Sequence, residues 1–364
     1  MDMWTPVLAL PNLDMRGSIE CDHAAIVSPV DHRVEKLRKD HPNLTTFFSK
    51  FSGQFGEQVW PSLLLLHTDA PKSCYTAEAV GAFRDIISLS VVPYARTSRL
   101  RFDRADSLAF TNAFQFYPWM LDKRYEDMIL ANPANLHVHL LSEFKGQSFP
   151  EQGRVSVMER DIDLPLAKEL LNRWIVRFST NTVDWKDKAL FRSLNMANEA
   201  GRIPAPSVGV IYDAGRLIAL WVSAHEILAH PGGTGQSSFS IVSALLERVK
   251  WLDAKLATAS HTIPGKPPQQ KQLAIWIYKK VYDLRNDFLH GNEVKGSALN
   301  LNGKPITDFA ACLFRLALTG FLDLHFNPPM PAKENAEALG AFISQRRTFN
   351  SLQRAYEKAL LTAI

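Results

Sequence analysis

The chain has 364 residues, of which 46% are hydrophobic and 21% charged, and its formal net charge is +4. That length allows two or three domains with ample cores, and the composition excludes a disordered or fibrous chain. The mild positive charge permits nucleic-acid binding without arguing for it.

Three well-separated cysteines, Cys21, Cys74 and Cys312, suggest neither a disulfide framework nor a zinc site, and a reducing, cytoplasmic setting is expected. The N-terminus carries Asp2 and then a short apolar run broken by Pro6 and Pro11. That pattern is not a secretory signal. No apolar run approaches the length needed to cross a membrane.

Residues 1–50 read as polar and irregular, with a charged stretch at Asp31–Asp40. Residues 60–150 read as mixed structure. Ser62–His67, Ile86–Val92 and Asn135–Leu141 are apolar runs of strand length, and Ala77–Arg84 suits a short helix. Arg96, Arg99, Arg101 and Arg104 form a basic run. On alternating positions Arg99 and Arg101 would share one face, and a strand edge guarded by charge is the simplest reading. The aromatic cluster Phe114–Trp119 suits a core or interface better than base stacking. His137 and His139 would lie on one strand face as a possible metal pair. No carboxylate or cysteine at diagnostic spacing supports them, so neither a metal nor a cofactor is expected. Pro150–Gly153 marks a turn or linker.

From Leu164 onward the apolar spacing becomes helical. Helices are predicted near 165–178, 183–200, 214–229, 238–257, 270–290, 306–325 and 333–361, the last one broken. Gly201–Gly209, Pro231–Ser237 and Ile263–Pro268 separate them. The fold class is therefore α+β: an N-terminal mixed α/β domain over 1–150, a connecting helix over 151–182, an all-α bundle over 183–326 and a helical tail over 327–364.

The stretch richest in chemistry is Tyr282–Gly291, which reads Y-D-L-R-N-D-F-L-H-G. Going back from it, Leu273, Ile277, Val281, Leu284 and Phe288 form the apolar stripe of an amphipathic helix. Arg285 falls on the flank of that stripe. Asn286 and His290 fall on the side facing away from the core, in an i,i+4 row with Tyr278 and Tyr282. Gly291 is placed to stop the helix. Arginine binds phosphate through a fork of donors, and histidine moves a proton near neutral pH. Together they suffice to cleave RNA without a metal. Because the histidine faces outward, such a site needs a second wall, most simply the same helix of a two-fold partner.

An Arg-Asn-Asp-His cluster is also what a solvated helix face looks like. A last-turn histidine suits the helix dipole. Arg16 and His23 repeat the Arg–His pairing in the N-terminal stretch, where it reads as noise. Residues 261–308 carry seven cations against four carboxylates. Lys279 and Lys280, one to two turns before Arg285, are placed to touch an RNA backbone together with Tyr282.

The string R-N-D-F-L-H-G resembles the signature of the HEPN superfamily (higher eukaryote and prokaryote nucleotide-binding), most closely its Apea-like group. That signature is arginine, a polar residue, three further residues and histidine, matched here by Arg285, Asn286 and His290. Leu217–Leu228 is similar to an early helix of that family ending in a Glu-x-Leu step, here Glu226 and Leu228. The resemblance covers roughly 183–326. It implies a helical bundle that forms a homodimer, with both motif copies lining one cleft. It also implies a metal-independent endoribonuclease, often in defence or toxin systems, with Arg285, Asn286 and His290 as the catalytic residues. Other members of the family are non-catalytic modules that bind nucleotide or RNA, or dimerise.

Overall fold

The computed structural model describes residues 3–53, 55–102, 110–116, 119–122, 124–131, 136–140, 147–148, 154–180, 183–202, 211–333 and 335–364; for 119–121, 128–131, 136–139, 147–148 and 212 it describes the backbone alone. The fold is mixed, with helices and small sheets in an α+β arrangement. The chain forms two compact units. One comprises Met1–Ser88, Phe110–Ile162 and Leu170–Thr182, the other Leu89–Ala109, Asp163–Glu169 and Val183–Ile364. The sequence suggests boundaries after 150, 182 and 326, whereas the two units interleave along the chain at Ser88–Leu89, Ala109–Phe110, Ile162–Asp163, Glu169–Leu170 and Thr182–Val183.

The first unit opens with strands β1 (Trp4–Leu10), β2 (Leu13–Met15), β3 (Ile19–Glu20) and β4 (Ala24–Val27), then helices α1 (His32–Asp40) and α2 (Pro42–Phe48), then β5 (Phe51–Ser52) and β6 (Ser62–His67). Residues 1–50 are thus structured, against the irregular reading. β2, β3 and β4 are only two to four residues long, too short to show a period of two, and β1 is interrupted by Pro6, so tertiary pairing supplies the rest. The antiparallel sheet runs β1-β6-β4-β3. β6 sits inside it, and its Ser62–Leu66 are all buried. That explains a leucine run without alternation. Pro6 is tolerated because β1 is an edge strand whose register slips between Pro6 and Leu8. Leu63 and Leu65 join a core with Val27, Val34, Leu37 and Phe47, so α1 and α2 cover one face of the sheet. Asp31 caps α1 by accepting the Arg33 N–H at 2.9 Å.

Helix α3 (Ala77–Phe102) swallows the predicted strand Ile86–Val92. Its segment Ile86–Val92 is entirely buried, and the alternation of Ile87, Leu89 and Val91 with Ser88 and Ser90 mimics a strand's period of two. The basic run is corrected with it, since Arg96, Arg99 and Arg101 lie on a helix, and Arg104 lies outside the described residues. The first unit also holds a three-stranded antiparallel sheet of β7 (Trp119–Leu121), β8 (Asp127–Ala131) and β9 (Leu136–Leu140). It ends with β10 (Gln147–Ser148), parallel to β5, and β11 (Val155–Val157), parallel to β2. Pro150–Gly153 lies outside the described residues. α4 (Leu164–Ser179) carries Trp174, whose buried indole N–H donates to the Ala79 carbonyl at 2.8 Å.

The second unit is helical around α10. Its elements are α5 (Trp185–Ala200), α6 (Ile211–Ala229), α7 (Phe239–Glu247), the single turn α8 (Ala254–Ala257), a hairpin of β12 (His261–Ile263) and β13 (Gln269–Lys271), α9 (Leu273–His290), a hairpin of β14 (Asn300–Leu301) and β15 (Lys304–Pro305), α10 (Ile306–Leu322) and α11 (Ala336–Leu361). The helix predicted over 238–257 is broken after Glu247, and the tail predicted as broken is one helix. α6 packs on α5, α7, α9 and α10, while α10 packs on α6, α7, α9 and α11. Phe309–Gly320 of α10 are all buried, so that helix is enclosed on every side. Gly320 lets α7 approach closely, because a Cβ there would meet the Leu245 carbonyl oxygen at 2.8 Å.

Two arginines are buried in this unit with carboxylate partners. Arg315 Nε lies 2.7 Å from Asp163, both side chains fully buried. Arg96 lies 3.3 Å from Asp308 and donates to the Gly201 carbonyl at 3.1 Å, and Arg99 reaches the other Asp308 oxygen at 3.3 Å. Burial pushes the Asp308 carboxyl up, opposed by the two arginines. Among the described residues no helix is long and apolar enough to cross a membrane.

Candidate functional site

The candidate site is built on α9. Its predicted stripe Leu273, Ile277, Val281 and Leu284 is buried, and Phe288 is half-buried. Phe288 packs where Gly215 of α6 leaves room, since a Cβ at Gly215 would stand 2.7 Å from the Phe288 ring. The helix stops at Gly291, whose φ of 72° is left-handed. The Asn292 N–H returns to the Asp287 carbonyl at 2.9 Å and the Gly291 N–H to that of Phe288 at 3.4 Å. This closure fixes the last turn, which carries His290.

Arg285 points across to α6. Its Nη2 donates to Glu226 Oε1 at 2.8 Å, with both side chains about four-fifths buried (19% and 21% exposed). Its guanidinium carbon also sits 4.8 Å from the centre of the Tyr282 ring. Burial pushes the Glu226 carboxyl above its ordinary range, and the charge and hydrogen bond of Arg285 pull it back. Among the described residues Arg285 makes no other hydrogen bond, so the remaining donors of its fork are free for an anion. The sequence marks both Arg285 and Glu226 but not their pairing, which joins elements 59 residues apart.

Beneath this pair lies an aromatic layer missed in the sequence. Tyr278 is fully buried and stacks on Phe239 of α7, with ring centres 5.9 Å apart and planes 8° from parallel. His225 lies 5.0 Å from Tyr278, and its Nδ1 is 2.8 Å from the Trp221 carbonyl. Burial lowers the His225 pKa to about 4, so the ring is neutral at pH 7 and Nδ1 donates. Burial, reinforced by the Glu226 charge, raises the Tyr278 phenol well above its usual range. The row Tyr278, Tyr282, Asn286, His290 therefore does not stay on the outer side. It climbs from core to solvent, with Tyr282 and Asn286 half-buried and His290 exposed. The adjacency of His225 to Glu226 is the one sequence signal that could have found this layer.

His290 stands at the exposed end of the helix, with no hydrogen bond, ion pair or ring contact among the described residues. Asn286 sits one turn before it on the same row, equally without a described hydrogen bond. His290 lies five positions after Arg285, which is about 140° around the helix and about 7.5 Å along it. Within one copy the two therefore diverge. Lys279 is held by Asp283 in an i,i+4 ion pair, so its charge is largely spent locally. Lys280 is exposed and lies 5.3 Å from the centre of the Trp276 ring.

The weaker sequence candidates do not assemble. Arg16 is an exposed partner of Asp14 at 2.7 Å. Phe114 is core, and Phe116 lies under the Arg84 guanidinium at 5.4 Å. The backbone of His137 and His139 is in β9, but their side chains lie outside the described residues. Among the described residues no three metal-ligating side chains gather. The three cysteines are free thiols. The chain shows no match to any family model, to any curated protein or to any solved structure.

Proposed function

We propose that this protein is a metal-independent endoribonuclease of HEPN type, acting as a homodimer whose two α9 helices wall one cleft. The observation that carries the reading is the division of labour on α9. Arg285 is braced by Glu226 with donors to spare, while His290 is exposed and unpartnered one turn after Asn286. Since Arg285 and His290 diverge within one copy, pairing across a two-fold axis is the simplest way to bring phosphate binder and base together.

In this reading His290 takes the proton of a ribose 2′-hydroxyl. The 2′-oxygen attacks the adjacent phosphorus, the bond from phosphorus to the 5′-oxygen breaks, and the leaving 5′-oxygen takes a proton from solvent or from the protonated imidazole of a second copy. Arg285 binds the phosphate and stabilises its growing charge, and Asn286 orients the phosphate or the imidazole. Tyr282 and Lys280 flank the RNA, with Lys279 weakened for that role by Asp283. The products are a 2′,3′-cyclic phosphate and a 5′-hydroxyl, so DNA resists. A cytoplasmic role in defence fits such an activity.

The test is incubation of the protein and its His290→Ala variant with single-stranded RNA in EDTA, with the ends mapped. Cutting that leaves cyclic phosphates and disappears in the variant is expected. Cutting that survives both His290→Ala and Arg285→Ala would overturn the assignment. A second reading, a non-catalytic module for RNA binding or dimerisation, is favoured by the Glu226 carboxylate already occupying one prong of Arg285. It predicts an inert protein whose RNA binding or dimerisation still falls in the same variants.

A further inference from the structure

A cluster of cations in the second unit lies away from α9, on the C-terminal helix. A groove of about 610 Å³ lies between α11 and the end of α3, and five cations line it: Arg101, Arg346, Arg347, Arg354 and Lys358. Among the described residues it has no carboxylate in its wall. The four cations of α11 make no described ion pair or hydrogen bond, and Arg101 only covers its neighbour Phe102, 4.6 Å from the ring centre.

The placement is helical geometry. Phe349, Leu352, Tyr356 and Leu360 face the core. Arg347, Ser351, Arg354 and Lys358 follow one another at steps of four, three and four on the opposite side, all exposed. Residues 338–364 contain one carboxylate, Glu357. It is turned inward, accepting the Leu252 and Asp253 N–H groups at 2.8 and 2.9 Å and the Gln353 amide at 3.0 Å. The other carboxylate of α11, Glu337, lies nine positions before Arg346, about 13.5 Å along the helix, and makes no described ion pair with the row. Unpaired like charges one turn apart repel, and an anionic ligand relieves that repulsion.

We propose that this groove binds the backbone of a single-stranded nucleic acid. From Arg346 to Lys358 the row spans about 18 Å, too long for one phosphate group and suited to a chain of them. Part of the groove wall is apolar. Tyr94 and Phe342 are half-buried, and Met330 and Ile343 are 65% and 57% exposed. A single strand can lay its bases on such a wall while its phosphates meet the cations, whereas a duplex keeps its bases hidden. The site shares no residue with α9 and does not require that the protein cut RNA.

The experiment measures binding of a fluorescein-labelled 20-nucleotide single strand, as RNA and as DNA, by anisotropy in EDTA. The protein carries His290→Ala so that the RNA stays intact. Arg354→Gln/Lys358→Gln and Arg346→Gln/Arg347→Gln are compared with that parent, with unfolding midpoints measured alongside. All four positions are solvent-facing, so the midpoints should not move. Each pair is expected to weaken both strands at least tenfold and to reduce the log–log salt slope by about 1.4, two contacts at about 0.7 each. Affinity within twofold of the parent overturns the proposal, as does tighter binding of an equal-length duplex or of anionic lipid vesicles. Cleavage of a dinucleotide by otherwise wild-type protein, too short to reach across the groove, should be unaffected by the four substitutions. The fate of the ribonuclease reading is thereby separated from the fate of the groove.

Discussion

Glu226 in the last turn of α6 receives Arg285 of α9 at 2.8 Å, tying that carboxylate to the cation of the Arg-Asn-Asp-Phe-Leu-His segment. The pair is only about one-fifth exposed, so the carboxylate sets where the guanidinium points. Glu226→Gln keeps an acceptor at nearly the same place, while Glu226→Ala removes it. If Glu226 positions Arg285, Glu226→Ala should lower kcat for RNA by up to about a hundredfold, the effect of a misplaced group. KM should change little, Glu226→Gln should retain most of the rate, and stability should fall by about 1 kcal/mol. A raised RNA affinity in Glu226→Gln, measured by anisotropy, would instead make the carboxylate a competitor of the phosphate.

The close helix approaches give a second prediction. At Gly215 an added Cβ meets the Phe288 ring at 2.7 Å, and at Gly320 it meets the Leu245 carbonyl at 2.8 Å. The half-buried ring can move, but the backbone of α7 cannot move without shifting the helix. Gly320→Ala should therefore cost more than Gly215→Ala, within the range of about 1–3 kcal/mol for overpacking. Combining Gly215→Ala with Phe288→Ala should recover part of its cost. Chemical denaturation of the single and double variants checks both statements, and additive costs at 215 and 288 would remove the contact as the cause.

The buried pair of Arg315 and Asp163 is flanked by Gln353, which accepts from Arg315, and by the Tyr356 ring. Asp163→Ala strands a buried guanidinium and should destabilise by roughly 3–5 kcal/mol. Asp163→Leu with Arg315→Met removes both charges and should be the milder change. Urea midpoints in the opposite order would mean that the contacts of Arg315 with the Gln353 amide and the Tyr356 ring matter more than the charge pair.

His225 gives the pH dependence. Its pKa is lowered from 6.5 to about 4 in the folded protein, chiefly by burial. The unfolded chain therefore binds the extra proton between those values. This contribution to stability is complete above about pH 6.5 and is lost as the pH falls towards 4, up to about 3 kcal/mol. Denaturation midpoints of wild type and His225→Phe between pH 7 and 4.5 should show a steeper acid loss in the wild type. Parallel slopes would assign the acid sensitivity elsewhere.

The stripe Leu273, Ile277, Val281 and Leu284, the stop at Gly291 and the outward aim of His290 were all legible in the sequence. Each follows from spacing along one helix, where neighbours in space are neighbours in sequence. The leucine run of β6 was legible for a similar reason, since a short apolar run with breakers on either side suits a buried strand. Ile86–Val92 reads as a strand because Ser88 and Ser90 alternate with Ile87, Leu89 and Val91, although helix packing buries all of them. The short strands before residue 50 were missed because partners far along the chain define them. Tertiary structure alone decided that Arg285 meets Glu226, that Tyr278 sinks into the core under Phe239, and that Arg96 is spent on Asp308 rather than offered to a ligand. It also decided that the arginines of α11 share one groove with Arg101. Local periodicity fixes which face of a helix is apolar, but which element covers that face depends on how the helices pack, and so does whether a charge ends up paired or free.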